Sequence, residues 1–195
     1  MPRKYEHNYP SVTEIIQEIF NKGEGFWRWK LLGSEESHEK GKKKAASGTK
    51  IHSLVNQTSQ GKRTRYPKIY KPIKHRIEDY FRDKTLILNE KALYDHDQNY
   101  CGTPDYIYSE QVATSVMPPI VLEDLKTGKY RQHEYDLQLG AYVGLARING
   151  YTIDKARNLM LQDGHITPMP WIDLDNAVEA WWKVLWLYKW KYGIP

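Results

Sequence analysis

Apolar positions along the chain change period several times, and each change marks an element. Val12, Ile15, Ile16 and Ile19 recur at helical spacing. Pro10-Ser11-Val12-Thr13-Glu14 opens that helix, with Ser11 as cap and Glu14 completing a capping box. The pattern predicts further helices over 26–32, 35–58 and 73–82, the last two separated by an exposed loop over 62–72 that holds two prolines. From residue 85 the spacing turns to that of strands: 85–89 and 91–94, then 100–108, with Asp95-His96-Asp97-Gln98-Asn99 as a hairpin turn between them. Residues 119–125 form a third strand, whose run Ile120-Val121-Leu122 implies burial on both faces. A helix over 133–149 follows, then a strand pair, 156–162 and 165–168, around Asp163-Gly164. A long helix from Asp173, its cap, to Lys191 closes the chain.

This order predicts an α/β fold: a small central mixed β-sheet flanked by helices. At 195 residues the chain fits one domain with a real core. Its helical part spans 11–82, its sheet core 85–171 and its closing helix 173–192. No run of 18 apolar residues exists, so no membrane span is expected. The stretch Met1-Pro2-Arg3-Lys4-Tyr5-Glu6 has no apolar core of the secretory kind. The one cysteine, Cys101, forms no internal disulfide and rules out a cysteine-ligated iron–sulfur cluster. A reducing, cytosolic compartment is the expectation.

Charge changes the picture because it is local. Between Lys40 and Arg76 stand 12 Lys/Arg and no acidic residue, which leaves the rest of the chain with 17 basic and 24 acidic residues. The block contains Lys42, Lys43, Lys44, Lys50, Lys62, Arg63 and Arg65, interleaved with Tyr66 and Tyr70. It suits a phosphate backbone, and it also suits a solvated helix face followed by a basic loop.

The candidate chemistry lies in two motifs beside strands: Gly102-Thr103-Pro104-Asp105 and Asp124-Leu125-Lys126-Thr127-Gly128, their aspartates 19 positions apart. On a strand, Asp124 and Lys126 share a face, while Glu123 and Leu125 take the other. Two carboxylates can hold a divalent cation, and a neighbouring ammonium can orient a water or stabilise charge on a phosphate. Taken alone, Asp124 and Lys126 also read as an ion pair at a strand end. Gln138 and Tyr142, at i and i+4, lie on one helix face, where they can hydrogen-bond a phosphate or the lysine; taken alone, they read rather as a core tyrosine and a solvated glutamine. His52, four residues after Gly48, is either a third ligand, favouring Mn²⁺ alongside Mg²⁺, or a structural histidine.

Together, Gly48-x-x-x-His52, Gly102-Thr103-Pro104-Asp105, Asp124-Leu125-Lys126-Thr127 and Gln138-x-x-x-Tyr142 resemble the PD-(D/E)XK nuclease superfamily, in its RecB-like exonuclease branch. With Pro10-Ser11-Val12-Thr13 and the aromatic stretch around Trp27 and Trp29, the chain resembles mitochondrial genome maintenance exonucleases and their phage relatives over about residues 9–192. The resemblance implies a restriction-endonuclease-like core and a Mg²⁺- or Mn²⁺-dependent DNA exonuclease holding one or two ions. Asp105 and Asp124 would bind the metal, Lys126 would be the catalytic lysine, and His52 the additional ligand. Gln138 and Tyr142 would be the substrate-side pair, and Glu90 an acidic support. Glu123 departs from the family pattern and reads as a second carboxylate or a salt-bridge partner. The resemblance further implies single-stranded DNA or DNA ends as substrate, with recombination or replication proteins as partners. The setting would be the cytoplasm of a bacterial or phage-infected cell. An endonuclease of the same superfamily and a non-catalytic nucleic-acid-binding module are the alternatives.

The aromatic residues carry two further expectations. Trp182, Trp186 and Trp190, four apart, read most simply as a core stripe of the last helix, with base stacking as the second reading. Trp27-Arg28-Trp29-Lys30 reads equally as packing or as a stacking surface for single strands.

Overall fold

A computed structural model describes residues 8–20, 34–62, 65–68, 71–110, 117–128, 131–162 and 165–194. The expected helix over 26–32, the Trp27–Lys30 stretch, Arg63 and the Asp163-Gly164 turn lie outside the described residues.

Five helices and seven strands are described: α1 (Val12–Ile19), α2 (Glu35–Ser59), α3 (Lys71–Phe81), β1 (Lys84–Asn89), β2 (Leu93–Asp95), β3 (Tyr100–Gly102), β4 (Tyr106–Glu110), β5 (Ile120–Lys126), α4 (Gln132–Ile148), β6 (Lys155–Gln162), β7 (His165–Pro168) and α5 (Leu174–Tyr192). The fold is α/β. A five-stranded sheet runs in the order β1-β4-β5-β6-β7, and β2 and β3 form a separate hairpin. Among the described strands of this sheet only β5 and β6 pair in parallel, joined by a crossover through α4, so the sheet is mixed. No helix among the described residues is long and apolar enough to cross a membrane.

Local chemistry explains the ends of these elements. Ser11 and Glu14 make the reciprocal capping box of α1, with the Ser11 N–H donating to Glu14 Oε2 at 2.7 Å. Asp173 caps α5 by accepting from the Asn176 N–H at 3.1 Å. Helix α3 begins earlier than expected because Pro72 falls in its first turn, where a missing N–H costs nothing. In the β2–β3 turn, Asp95 Oδ1 accepts from the N–H groups of Asp97 and Gln98, and Asn99 takes a left-handed φ of 57°.

Strand β5 divides the interior. Leu122 faces a core built with α1, α4 and α5, including Val12, Leu139, Tyr142, Leu145 and Trp181. Val121 and Leu125 face a second core built with α2 and α3, including Val55, Ile73, Ile77 and Phe81. Burial on both faces was legible in the apolar run of this strand.

Two expectations are corrected. Residues 100–108 are not one strand. They break at Thr103-Pro104-Asp105 into β3, which pairs with β2, and β4, which pairs with β1 and β5. Proline has no N–H to give a ladder, so pairing stops there and the chain passes from one sheet to the other. Of the Trp182/Trp186/Trp190 stripe, only Trp182 packs against the core, partly buried. Trp181 is fully buried and Leu185 nearly so, whereas Trp186 and Trp190 stack on each other in the open, at 65% and 69% exposure. Where α4 crosses α5, a Cβ on Gly140 would lie 2.2 Å from the Ala177 carbonyl oxygen. This close crossing turns the Ala177–Trp181–Leu185 face inward, one position away from the expected stripe.

Gly140→Ala is therefore expected to push α5 off α4 and to lower stability by about 1–3 kcal/mol, read as a fall in urea midpoint at unchanged slope.

Candidate active site

The site forms where β4 and β5 run side by side and α2 and α4 reach the same strand ends. The chain break at Thr103-Pro104 delivers Asp105 to the start of β4. Its Oδ2 accepts the Leu125 N–H of β5 at 2.7 Å, which fixes the carboxylate against the neighbouring strand. Asp124 and Lys126 emerge from β5 on one face and pair directly with each other. Asp105 and Asp124 are both almost fully buried, and the Lys126 side chain is 12% exposed.

Helix α2 supplies His52. A Cβ on Gly48 would touch Thr127 Oγ1 at 3.0 Å, so the helix comes close to the end of β5 at that turn. His52, one turn later on the same face, then lies with Nδ1 3.6 Å from Asp105 Oδ2. The Gly48-x-x-x-His52 spacing thus has a steric cause.

Helix α4 supplies the other wall. Lys126 Nζ donates to Gln138 Oε1 at 2.6 Å, and Gln138 Nε2 donates to the Tyr142 hydroxyl at 2.8 Å. The amide therefore passes orientation from the tyrosine to the ammonium. Gly102 lets this wall approach, since a Cβ there would meet Tyr142 at 2.8 Å and Leu145 at 2.9 Å. The Tyr135 ring lies 4.6 Å from Lys126 Nζ, a cation–π contact that the sequence reading missed. Its signal was present, because Tyr135, Gln138 and Tyr142 repeat at helical spacing.

The grouping of ligand atoms differs from the expected set. One donor atom each from His52, Glu90 and Asp105 lie within 4.8 Å of one another, while the Asp124 carboxylate is engaged by Lys126. Glu90 arrives through an unusual backbone: its φ is 44°, in the left-handed region, and its N–H donates to the Asp105 carbonyl at 3.0 Å. A non-glycine residue held there costs about 1 kcal/mol or more, a strain that concentrates at functional sites. Two or three carboxylates and one imidazole suit a hard or borderline divalent cation such as Mg²⁺ or Mn²⁺.

Glu123 takes no part in this cluster. It faces the α3 side, fully buried, where Arg157 Nε and the Tyr80 hydroxyl both donate to its Oε1, at 2.7 and 2.6 Å. Of its two readings, the geometry corresponds to the salt-bridge partner. In the basic block, Lys42, Lys43 and Lys50 are exposed on α2, the helix that carries His52, and Lys62 and Arg65 are exposed beyond its end. Lys44 lies on α2 as well. A cavity of about 560 Å³ between α4, α5 and the chain before α5 touches Asp136, Leu137, Trp171 and Ala177 but none of the clustered site residues.

The charges perturb one another. Burial pulls the His52 imidazole down, but the Asp105 carboxylate beside it and the charge of Asp124 outweigh this and raise it. Burial pushes Asp105 up, and His52, the Leu125 N–H and Lys126 bring it below the usual carboxylate range. Burial lifts Asp124 to about 6, with Lys126 opposing and the Asp105 charge reinforcing the rise.

No protein-family model and no curated protein matches the chain. Among solved structures, it is similar to the crystal structure of SSO0001, with 13% sequence identity over 96% of this chain and 80% of that one and a TM-score of 0.43.

The pKa directions set a pH dependence. In the metal-free protein, raised Asp124 makes stability fall as pH rises from the ordinary carboxylate range to about 6. Raised His52 contributes stability below its ordinary value, which is lost as pH climbs through its folded pKa. Lowered Asp105 acts oppositely, its stabilisation being lost in acid. Ligands must shed protons to bind a cation, so Mn²⁺ is expected to raise the Tm of chelator-stripped protein strongly at about pH 8 and little at about pH 5, by differential scanning fluorimetry.

Proposed function

We propose that this chain is a metal-dependent nuclease that hydrolyses DNA phosphodiester bonds, acting as an exonuclease on single strands or strand ends. The observation that carries this reading is the gathering of Asp105, Asp124, Lys126 and His52 at one set of strand ends, with Gln138 and Tyr142 aligned behind the lysine. These residues come from four separate stretches of sequence, and a purely structural role does not call for two buried carboxylates side by side.

His52 and Asp105 would hold the cation together with Glu90, whose ligand atom lies with theirs, and Asp124 would join them on leaving Lys126. When bound, Mg²⁺ or Mn²⁺ supplies Lewis-acid stabilisation of the charge that develops on the phosphate. The chain's own residues do the rest. Lys126, held by Gln138 and flanked by the Tyr135 ring, presents its ammonium to the attacking water and the phosphate oxygens. Asp105 is locked by the Leu125 N–H, so its carboxylate keeps its direction without help from solvent. The exposed lysines of α2 lead a phosphate backbone toward the histidine on the same helix. Partners in recombination or replication and a cytoplasmic setting belong to this same reading.

Lys126→Ala is expected to reduce cleavage of end-labelled single-stranded DNA by at least about a hundredfold with little loss of DNA binding. Excess EDTA is expected to stop the wild-type reaction. Undiminished turnover in either case would end the proposal. On circular single-stranded DNA no product is expected; nicking of the circle would replace the exonuclease with an endonuclease, and no cleavage of any substrate with Mn²⁺ would leave a binding module.

A further inference from the structure

Beside Asp124, on the adjacent strand, stands a buried asparagine that the proposed chemistry leaves unused. Asn158 of β6 is the register partner of Asp124 in the parallel ladder, so both side chains leave the sheet on the same face. The neighbouring pairs confirm the alternation. Leu122 and Ala156, one pair position earlier on that face, sit in the same core, and Glu123 and Arg157 meet as an ion pair on the opposite face. Asn158 is 1% exposed, and neither its Nδ2 nor its Oδ1 has a hydrogen-bond partner among the described residues. Its backbone is fixed, since its carbonyl accepts the Met169 N–H at 2.9 Å.

A carboxamide buried with both polar atoms unpaired costs stability, and a leucine of similar shape would avoid that cost. Such a side chain, on the same sheet face and at the same register position as a buried carboxylate, has a use when that carboxylate changes partner. In this structure Asp124 is taken up by Lys126 on its own strand. A carboxylate that turns to a cation needs a new donor to hold its rotamer, and metal-ligating carboxylates are characteristically supported this way.

Resting on the nuclease reading, we infer that Asn158 is a positioning residue for Asp124: its amide N–H group donates to the Asp124 carboxylate and holds it in the orientation that ligates the cation. Lys126 is thereby left to the water and the phosphate. The residue acts through Asp124 and does not itself touch the reacting atoms.

The test compares Asn158→Leu with wild type in two measurements on the full chain: the Tm of the chelator-stripped protein, and the Mn²⁺ dissociation constant from electron paramagnetic resonance of free Mn²⁺. The metal-free Tm is expected to stay level or rise, because two unpaired buried atoms are removed. Mn²⁺ affinity is expected to fall about 10- to 100-fold, the usual range for loss of an outer supporting partner. Unchanged Mn²⁺ affinity overturns the assignment, as does a weakened affinity that comes only with a lowered metal-free Tm, which marks a structural residue. If the leucine variant fails to fold, the asparagine is structural, unless Asn158→Ala folds at near wild-type Tm and shows the same affinity loss. A wild-type chain that binds no Mn²⁺ fails the nuclease reading itself, an outcome told apart by the wild-type arm, and this assignment falls with it.

Discussion

Two carboxylates held out of water within each other's field are the constraint around which this protein is organised. Asp105 and Asp124 are almost fully buried, and the Asp105 charge raises the cost of ionising Asp124. The arrangement survives because a basic group faces each of them: His52 beside Asp105 and Lys126 beside Asp124. Meeting this demand brings distant parts of the chain together. Helix α2 must come within touching distance of Thr127, which Gly48 permits, and helix α4 must set Gln138 against the lysine, which the close seating of Tyr142 over Gly102 permits. The small residues of the motifs are the steric condition for the charged ones to meet.

The strand that carries the acidic pair also shows how a single position separates chemistry from architecture. Glu123 and Asp124 are chain neighbours, equally acidic and nearly equally buried. The pleat sends Glu123 to the α3 side, where Arg157 and Tyr80 both donate to its Oε1 and Trp171 lies over the guanidinium at 3.9 Å. It sends Asp124 to the α4 side, where the lysine and the proposed cation compete for it. The first is a closed ion pair that ties β5, β6 and α3 together. The second joins two residues of one strand, and on the proposed reading its carboxylate also serves a cation.

Much of this was legible in the residues. Helix caps and hairpin turns are local hydrogen-bond problems, so Ser11, Asp173 and Asp95 announced their elements. Period-2 alternation placed Asp124 and Lys126 on one face and Glu123 on the other before any packing was known. The break at Pro104 was hidden because residues on both sides of it are strand-like, and only the choice of pairing partner distinguishes β3 from β4. The tryptophan stripe misled for a related reason: Trp181, Trp182, Trp186 and Trp190 offer overlapping helical stripes, and periodicity alone does not say which faces in.

The chain by itself determined which residue types stand at which spacings: the elements, their caps, the shared face of Asp124 and Lys126, and the pairing of Gln138 with Tyr142 on a helix. These depend on neighbours a few residues apart, whose geometry the backbone period dictates. Only the tertiary structure decided that Gly140 meets Ala177 and so turns Trp181 inward, that Glu90 joins His52 and Asp105 through a left-handed backbone, and that Asn158 stands beside Asp124. Each of these rests on the contact of surfaces far apart in sequence, and such contacts are settled by close packing, which no local pattern encodes.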